Sequence, residues 1–317
     1  MPKMRKIVLL TVLLLSSVVV YGQEVVRQSY HYATHQGQEL YLDRYSFEDG
    51  GLESRPVLIF AFGGGFVRGT RDNDYYLKFF DRMAREGVVV VSIDYRLGLK
   101  TIPEGVGLVE MIALLDNAVT IAVEDMYAAT NFVVEHSSEW RVDSSKIMIS
   151  GSSAGAITAL QAEWLRCNGA EIASVLPEGF SYAAVISCAG ALFTTKGKPQ
   201  FEGVPAPMLL FHGTSDSNVP YDKASVMGVG FYGSKYVAQR LKRLEAPYYF
   251  YSAEYVDHSL AVTPLYDEFD LIRGFIDAYV VRGVRAQTEA RSIACGVEKR
   301  DTRFSVKDYL STNYTPR

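Results

Sequence analysis

Five consecutive residues, Gly151, Ser152, Ser153, Ala154 and Gly155, carry the sharpest chemical signal in the chain. A serine at the centre of a G-x-S-x-G pattern belongs on a tight turn from strand to helix, which lifts its hydroxyl into the open. The flanking glycines are needed because side chains there would collide as strand and helix converge. Here an apolar run, 146–150, precedes the pattern and a helical stretch follows it. The helix N-terminus adds partial positive charge beside the reacting centre. This setting suits nucleophilic attack on a carbonyl, with Ser153 as the nucleophile. A chance glycine-rich loop is the plain alternative, and the strand-to-helix context argues against it.

A free hydroxyl is a weak nucleophile, so Ser153 needs a base. The five histidines are His31, His35, His136, His212 and His258. His31 and His35 fall in an early antiparallel region, away from the strand ends where ligands bind in open α/β sheets. His136 ends a long helical pattern, as a surface residue or cap. His212 closes an apolar run and suits a turn-stabilising role. His258 follows the last apolar run, in a loop, and elimination selects it. The imidazole in turn needs an acid to orient it and to stabilise its charge. Asp216 lies just beyond the preceding run, giving the order Ser153, Asp216, His258. Asp222 is the next candidate; Glu254 and Asp257 also compete.

Attack on a carbonyl also requires donors for the developing oxyanion. Phe62-Gly63-Gly64-Gly65-Phe66 follows another apolar run, and three glycines leave their N–H groups unobstructed. Gly64 and Gly65 are the expected donors, joined by the N–H of Ala154. No G-x-G-x-x-G or G-K-S/T follows, which argues against a phosphate-binding loop.

These residues need a scaffold, and the remaining pattern supplies one. Segments 25–34 and 39–45 alternate apolar and polar residues, as half-buried antiparallel strands do. Segments 56–62, 88–94, 146–150, 183–187, 207–211 and 248–252 are short apolar runs, suited to strands covered on both faces. Helical periodicity occupies 75–86, 117–136, 153–167, 234–245 and 265–281. The expected architecture is therefore α/β, a mostly parallel eight-stranded sheet with helices on both faces. Segments 99–115 and 222–233 read as additions to that frame, either binding loops or packing excursions. No linker or repeat divides the chain.

The N-terminus has a basic start (Lys3, Arg5, Lys6), an apolar run over 7–20 and a small residue, Gly22, at the exit. That describes a signal peptide over 1–22, and the run is too short and too interrupted for a membrane anchor. A catalytic domain over 23–284 follows, then a weakly patterned tail over 285–317. The expected location is secreted or periplasmic. Removing 1–22 takes away three cations and no acid, lowering the formal charge from -4 to -7. An acidic chain without a basic cluster has no electrostatic reason to hold nucleic acid. Of the three cysteines, Cys188 reads as a small buried hydrophobe, and a Cys167–Cys295 bridge is conceivable in an exported protein. Without clustered His or CxxC, no metal site is expected, and no cofactor.

Together Phe62 to Phe66, the stretch Ser92-Ile93-Asp94-Tyr95-Arg96-Leu97, Gly151 to Gly155, His212 to Pro220 and Asp257-His258 resemble the ordered landmarks of the α/β-hydrolase superfamily. The likeness spans about 56–281. It is closest to carboxylesterases and hormone-sensitive-lipase-like esterases with an HGGG oxyanion loop, and bacterial acetyl and feruloyl esterases are similar. Phe62 stands where a histidine commonly precedes the glycines, a departure that bears on subfamily and not on the chemistry. The resemblance implies carboxylic ester hydrolysis, on small-molecule or polysaccharide-linked esters. Arg96 reads as an ion-pair anchor. Two other readings stay open: a serine exopeptidase of prolyl-oligopeptidase type, which usually carries a propeller this chain is too short to form, and a binding protein that keeps the fold without the chemistry.

Overall fold

A computed structural model describes residues 24–47, 54–296, 298–302 and 304. The signal peptide expected at 1–22 and the tail beyond 304 lie outside the described residues. The elements run β1 (Val25–His35), β2 (Gln38–Phe47), β3 (Arg55–Ala61), α1 (Asp74–Arg85), β4 (Val89–Ile93), α2 (Leu108–Glu135), β5 (Val142–Ser152) and α3 (Ala154–Cys167). Then come β6 (Ala184–Cys188), β7 (Ala191–Thr194), β8 (Met208–Gly213), β9 (Lys223–Val226), β10 (Val229–Gly233), α4 (Ser234–Arg243) and β11 (Tyr248–Ala253). Helices α5 (Pro264–Asp267) and α6 (Phe269–Phe275) and strand β12 (Gln287–Ser292) complete the series.

The main sheet has the order β1-β2-β4-β3-β5-β6-β8-β11-β12. Strand β2 pairs antiparallel with both β1 and β4, and every pair from β4 to β12 is parallel. The apolar runs occupy its centre: Val57 to Ala61, Val90, Val91 and Ile93, Ile147 to Ile149, and Met208 to Phe211 are all fully buried. Side chains alternate between faces along a strand, so complete burial requires cover on both sides. Helices α2, α3 and α4 share contacts with β7, while α1 meets the α5–α6 segment through Phe79 against Phe269. With helices on both faces, the parallel strands all end at one edge.

Three features differ from the sequence pattern. The sheet has nine strands, not eight, because the segment assigned to the tail contributes β12. β12 is an edge strand reading Gln-Thr-Glu-Ala-Arg-Ser, so it lacks the apolar signal of its neighbours, and the main sheet continues past 284. Helix α2 starts at Leu108, ahead of the expected 117, since neither Gly nor Pro interrupts 108–135 and Gly107 occupies the cap position. Segment 222–233 forms the β9–β10 hairpin, which turns at Met227 and Gly228 with φ of 51° and 88°. The hairpin joins β7 in a separate three-stranded antiparallel sheet. All three cysteines are free, so Cys167 and Cys295 are not bridged.

Candidate active site

Ser153 sits between the end of β5 and the start of α3, with φ 51° and ψ -114°. A non-glycine residue there is strained, and that cost persists only where surroundings enforce it. They do so here. A Cβ on Gly151 would lie 2.2 Å from the Gly155 carbonyl carbon, and one on Gly155 would lie 2.0 Å from the Ala61 carbonyl oxygen. The Ser153 N–H donates to the Cys188 carbonyl at 2.9 Å, tying the turn to the end of β6.

Two neighbouring strand ends supply the other groups. The loops after β8 and β11 are held together by bonds from Ser215 N–H to the Val256 carbonyl (3.0 Å) and from Thr214 N–H to the Ala253 carbonyl (2.9 Å). This brings Asp216 against His258. The imidazole Nδ1–H donates to Asp216 Oδ2 at 2.7 Å, and the Ser153 hydroxyl donates to Nε2 at 2.8 Å. Asp216 is buried, and its other oxygen accepts the N–H groups of Asn218 (2.8 Å) and Val219 (2.9 Å). Burial alone would raise its pKa, but hydrogen bonds from His212 and His258 outweigh that and hold it well below the usual carboxylate range.

The competing acids are engaged elsewhere. Asp222 pairs with Lys235 at 3.3 Å and Glu254 with Arg291 at 2.8 Å. Asp257 turns away from its neighbour His258, accepting the Ser259 N–H and pairing with Arg300. His31 bonds Thr34, His35 bonds buried Asp125, and His136 caps α2. His212 holds the turn after β8, its buried Nε2 donating to the Val219 carbonyl at 3.1 Å; the same nitrogen sits 3.3 Å from Asp216 Oδ2, and Ser234 bonds Nδ1 at 2.8 Å. Arg96 anchors its loop through Asp125 and Glu124 on α2.

The glycine loop lies directly against Ser153, since a Cβ on Gly63 would be 3.3 Å from Ser153 Cβ. The Gly63 N–H donates to the Tyr76 hydroxyl at 3.1 Å. Those of Gly64, Gly65 and Ala154 have no acceptor among the described residues, and Ala154 opens α3. Gly64 needs its φ of 135°, and a Cβ there would lie 1.9 Å from the Arg68 carbonyl oxygen. Phe62, in the position where histidine is common, stacks on Tyr95 with centroids 4.5 Å apart. Its carbonyl accepts the Tyr95 hydroxyl at 2.8 Å. An aromatic pair thus holds the loop's entrance.

Gly63, Gly64, Gly65, Ser153 and His258 face one cleft of about 370 Å³, whose walls include Val67, Tyr76, Ala261 and Val262. Arg68, Asn218 and Thr263 also line it; Asn218 falls within the His212–Pro220 landmark, whereas Arg68 and Thr263 are placed by their loops and no motif marks them. Among the described residues no group of three or more His, Cys, Asp or Glu converges to hold a metal, and no helix is long and apolar enough to cross a membrane. The arrangement can activate a serine hydroxyl and receive negative charge on a carbonyl oxygen.

Residues 42–190 match the BD-FAE family model. That stretch includes the glycine loop and Ser153 and stops before Asp216 and His258. Fumonisin B1 esterase of Sphingopyxis macrogoltabida is 32% identical over 145 residues, 43% of this chain and 24% of that protein. Esterase LipI of Mycobacterium tuberculosis is 34% identical over 109 residues, 33% of this chain and 27% of that protein. The chain therefore matches about a quarter of the length of each. Among solved structures, Thermogutta terrifontis esterase 2 phosphorylated by paraoxon superposes with a TM-score of 0.58 at 21% identity, over 79% of this chain and 93% of that one. The native form of the same esterase superposes with a TM-score of 0.58 over 81% and 92%. At this identity the likeness establishes the fold.

Proposed function

We propose that the chain is an exported serine esterase of the carboxylesterase and hormone-sensitive-lipase-like type, which hydrolyses carboxylic esters through an acyl-enzyme. The observation that carries this reading is the unbroken hydrogen-bonded line from Asp216 through His258 to Ser153, opening on a cleft beside the glycine loop.

In this reading His258 Nε2 takes the Ser153 proton as the oxygen attacks the ester carbonyl. The N–H groups of Gly64, Gly65 and Ala154 receive the oxyanion. His258 then protonates the departing alcohol, and Asp216 stabilises the imidazolium between the two transfers. Water, activated by the same imidazole, releases the acid and restores Ser153. The cleft is near the lower end of the range for ligand pockets, roughly 300–1,000 Å³, which favours short acyl groups. Acetyl or feruloyl groups carried on polysaccharide are the substrates proposed. The names of the relatives support ester hydrolysis, and the basic and apolar residues of 1–22 support export.

The test is turnover of p-nitrophenyl acetate, butyrate and decanoate, with Ser153→Ala beside the parent chain. Serine-dependent turnover that falls with acyl length is the expected result. Equal rates for the parent and the alanine variant on all three would overturn the reading and direct attention to peptide substrates. N-terminal sequencing of protein recovered outside the cytoplasm tests export, with a start at Gln23 expected.

A further inference from the structure

The cleft's charge is specific in sign. Among the described residues that line it, Arg68 is the one Lys, Arg, Asp or Glu, and no carboxylate faces the cleft. The formal charge of the chain is -4, so a cation standing alone beside the nucleophile runs against the overall balance. Among the described residues most other arginines form ion pairs: Arg27, Arg71, Arg82, Arg85, Arg96, Arg166, Arg273, Arg282, Arg291 and Arg300. Arg68 is exposed and takes neither an ion pair nor a side-chain hydrogen bond among the described residues.

Its backbone, by contrast, is firmly held. The N–H groups of Val67 and Arg68 both donate to the Gly64 carbonyl, at 3.1 and 3.2 Å, closing a tight turn that begins in the glycine loop. On one side Phe66 is buried against Tyr95 and accepts the Leu99 N–H at 3.0 Å. On the other, Gly69 lies so close to Phe62 that a Cβ would come within 2.4 Å of its ring. A rigid turn thus presents an uncommitted guanidinium beside Gly64 and Gly65. Guanidinium groups recognise carboxylates through paired N–H donors, and a fixed origin reduces the ordering cost of that contact.

We propose that Arg68 is a specificity-determining residue that selects esters carrying a carboxylate near the scissile bond. The inference rests on the esterase reading and narrows its substrate class. A carboxylate on either half of the ester satisfies the same guanidinium, so the experiment separates the two.

Four esters are compared at low salt, with uncatalysed rates subtracted. p-Nitrophenyl hemisuccinate is paired with p-nitrophenyl pentanoate for the acyl half, and 4-acetoxybenzoate with 4-acetoxybenzamide for the alcohol half. The parent chain is expected to favour the anionic member of one pair by about fivefold in kcat/KM, the upper range for a solvent-accessible ion pair. The pair that shows the preference locates the carboxylate. Arg68→Met is expected to bring that ratio close to one, Arg68→Lys to retain part of it, and about 0.5 M sodium chloride to weaken it in the parent. Turnover of the neutral esters with no anionic preference in either pair overturns this inference and leaves the esterase reading standing. A preference that survives in Arg68→Met also overturns it. No turnover of any of the four overturns both.

Discussion

Gly155, the second residue of the helix that follows Ser153, lies so close to strand β3 that a side chain would begin 2.0 Å from the Ala61 carbonyl oxygen and 2.6 Å from that of Phe62. The contact joins the two loops that act on one carbonyl in the proposed mechanism, because Ala61 and Phe62 lead into the glycine loop and Gly155 follows Ser153 by two residues. The proposed geometries of attack and of oxyanion binding therefore share one packing contact.

Gly155→Ala is expected to destabilise the fold by about 3 kcal/mol or more, since both opposing atoms are backbone and cannot rotate away. A control lies in α6, where a Cβ on Gly274 meets nothing within 4 Å and its φ is ordinary. Gly274→Ala is expected to be neutral or to stabilise by up to about 1 kcal/mol. Urea unfolding midpoints check both. Equal stability of Gly155→Ala and the parent would show that helix and strand are not in contact there.

Tyr95→Phe isolates the support beneath the glycine loop. The ring remains to stack on Phe62, while the buried Phe62 carbonyl loses its partner at 2.8 Å. The expected cost is about 1–3 kcal/mol of stability, the usual penalty for an unsatisfied buried acceptor. A fall in kcat on a short ester is expected alongside, because Gly63 to Gly65 follow directly. Full activity combined with lowered stability would confine Tyr95 to packing.

Asp216 gives a pH dependence of defined sign. Its folded pKa lies below the ordinary value because hydrogen bonds from His212 and His258 outweigh burial. Its contribution to stability is therefore present above about pH 4, the unfolded aspartate value, and is lost as pH falls through the lower folded value. Asp216→Asn is expected to flatten the acid limb of the stability curve and to lower kcat by about 10³–10⁴-fold, through loss of the orienting carboxylate. Parallel acid limbs for the two proteins would mean that another group carries the acid sensitivity.

How much of this could be read from the chain follows from what each residue's role depends on. Strands β3 to β6 announce themselves because burial on both faces demands continuous apolar residues. Strand β12 does not, because an edge strand such as Gln287 to Ser292 keeps polar side chains in water. Ser153 is marked by its glycines, and with five histidines in the chain elimination could single out His258. That His212 also touches Asp216 follows from the turn after β8, and its position at a strand end carries no such signal. Arg68 reaches the cleft only because the glycine loop curves back on itself, and Tyr76 only because α1 packs beside that loop, neither of which periodicity encodes.

The cysteines provide a probe of the same region that needs no substrate. Cys188 is fully buried at the end of β6, and burial pushes its thiol pKa up to about 12. Cys295 is exposed, and Cys167 is half-buried with its pKa raised by burial. Alkylation requires both the thiolate and access, so Cys295 is expected to react first with iodoacetamide and Cys188 only on unfolding. Peptide mapping after a brief exposure gives the order. The Cys188 carbonyl accepts the Ser153 N–H at 2.9 Å, so opening β6 far enough to expose this thiol would also release the serine turn. Labelling of Cys188 and loss of Ser153-dependent activity should therefore follow the same denaturant curve. Rapid labelling of Cys188 in the active protein would show that the end of β6 opens independently of the serine turn.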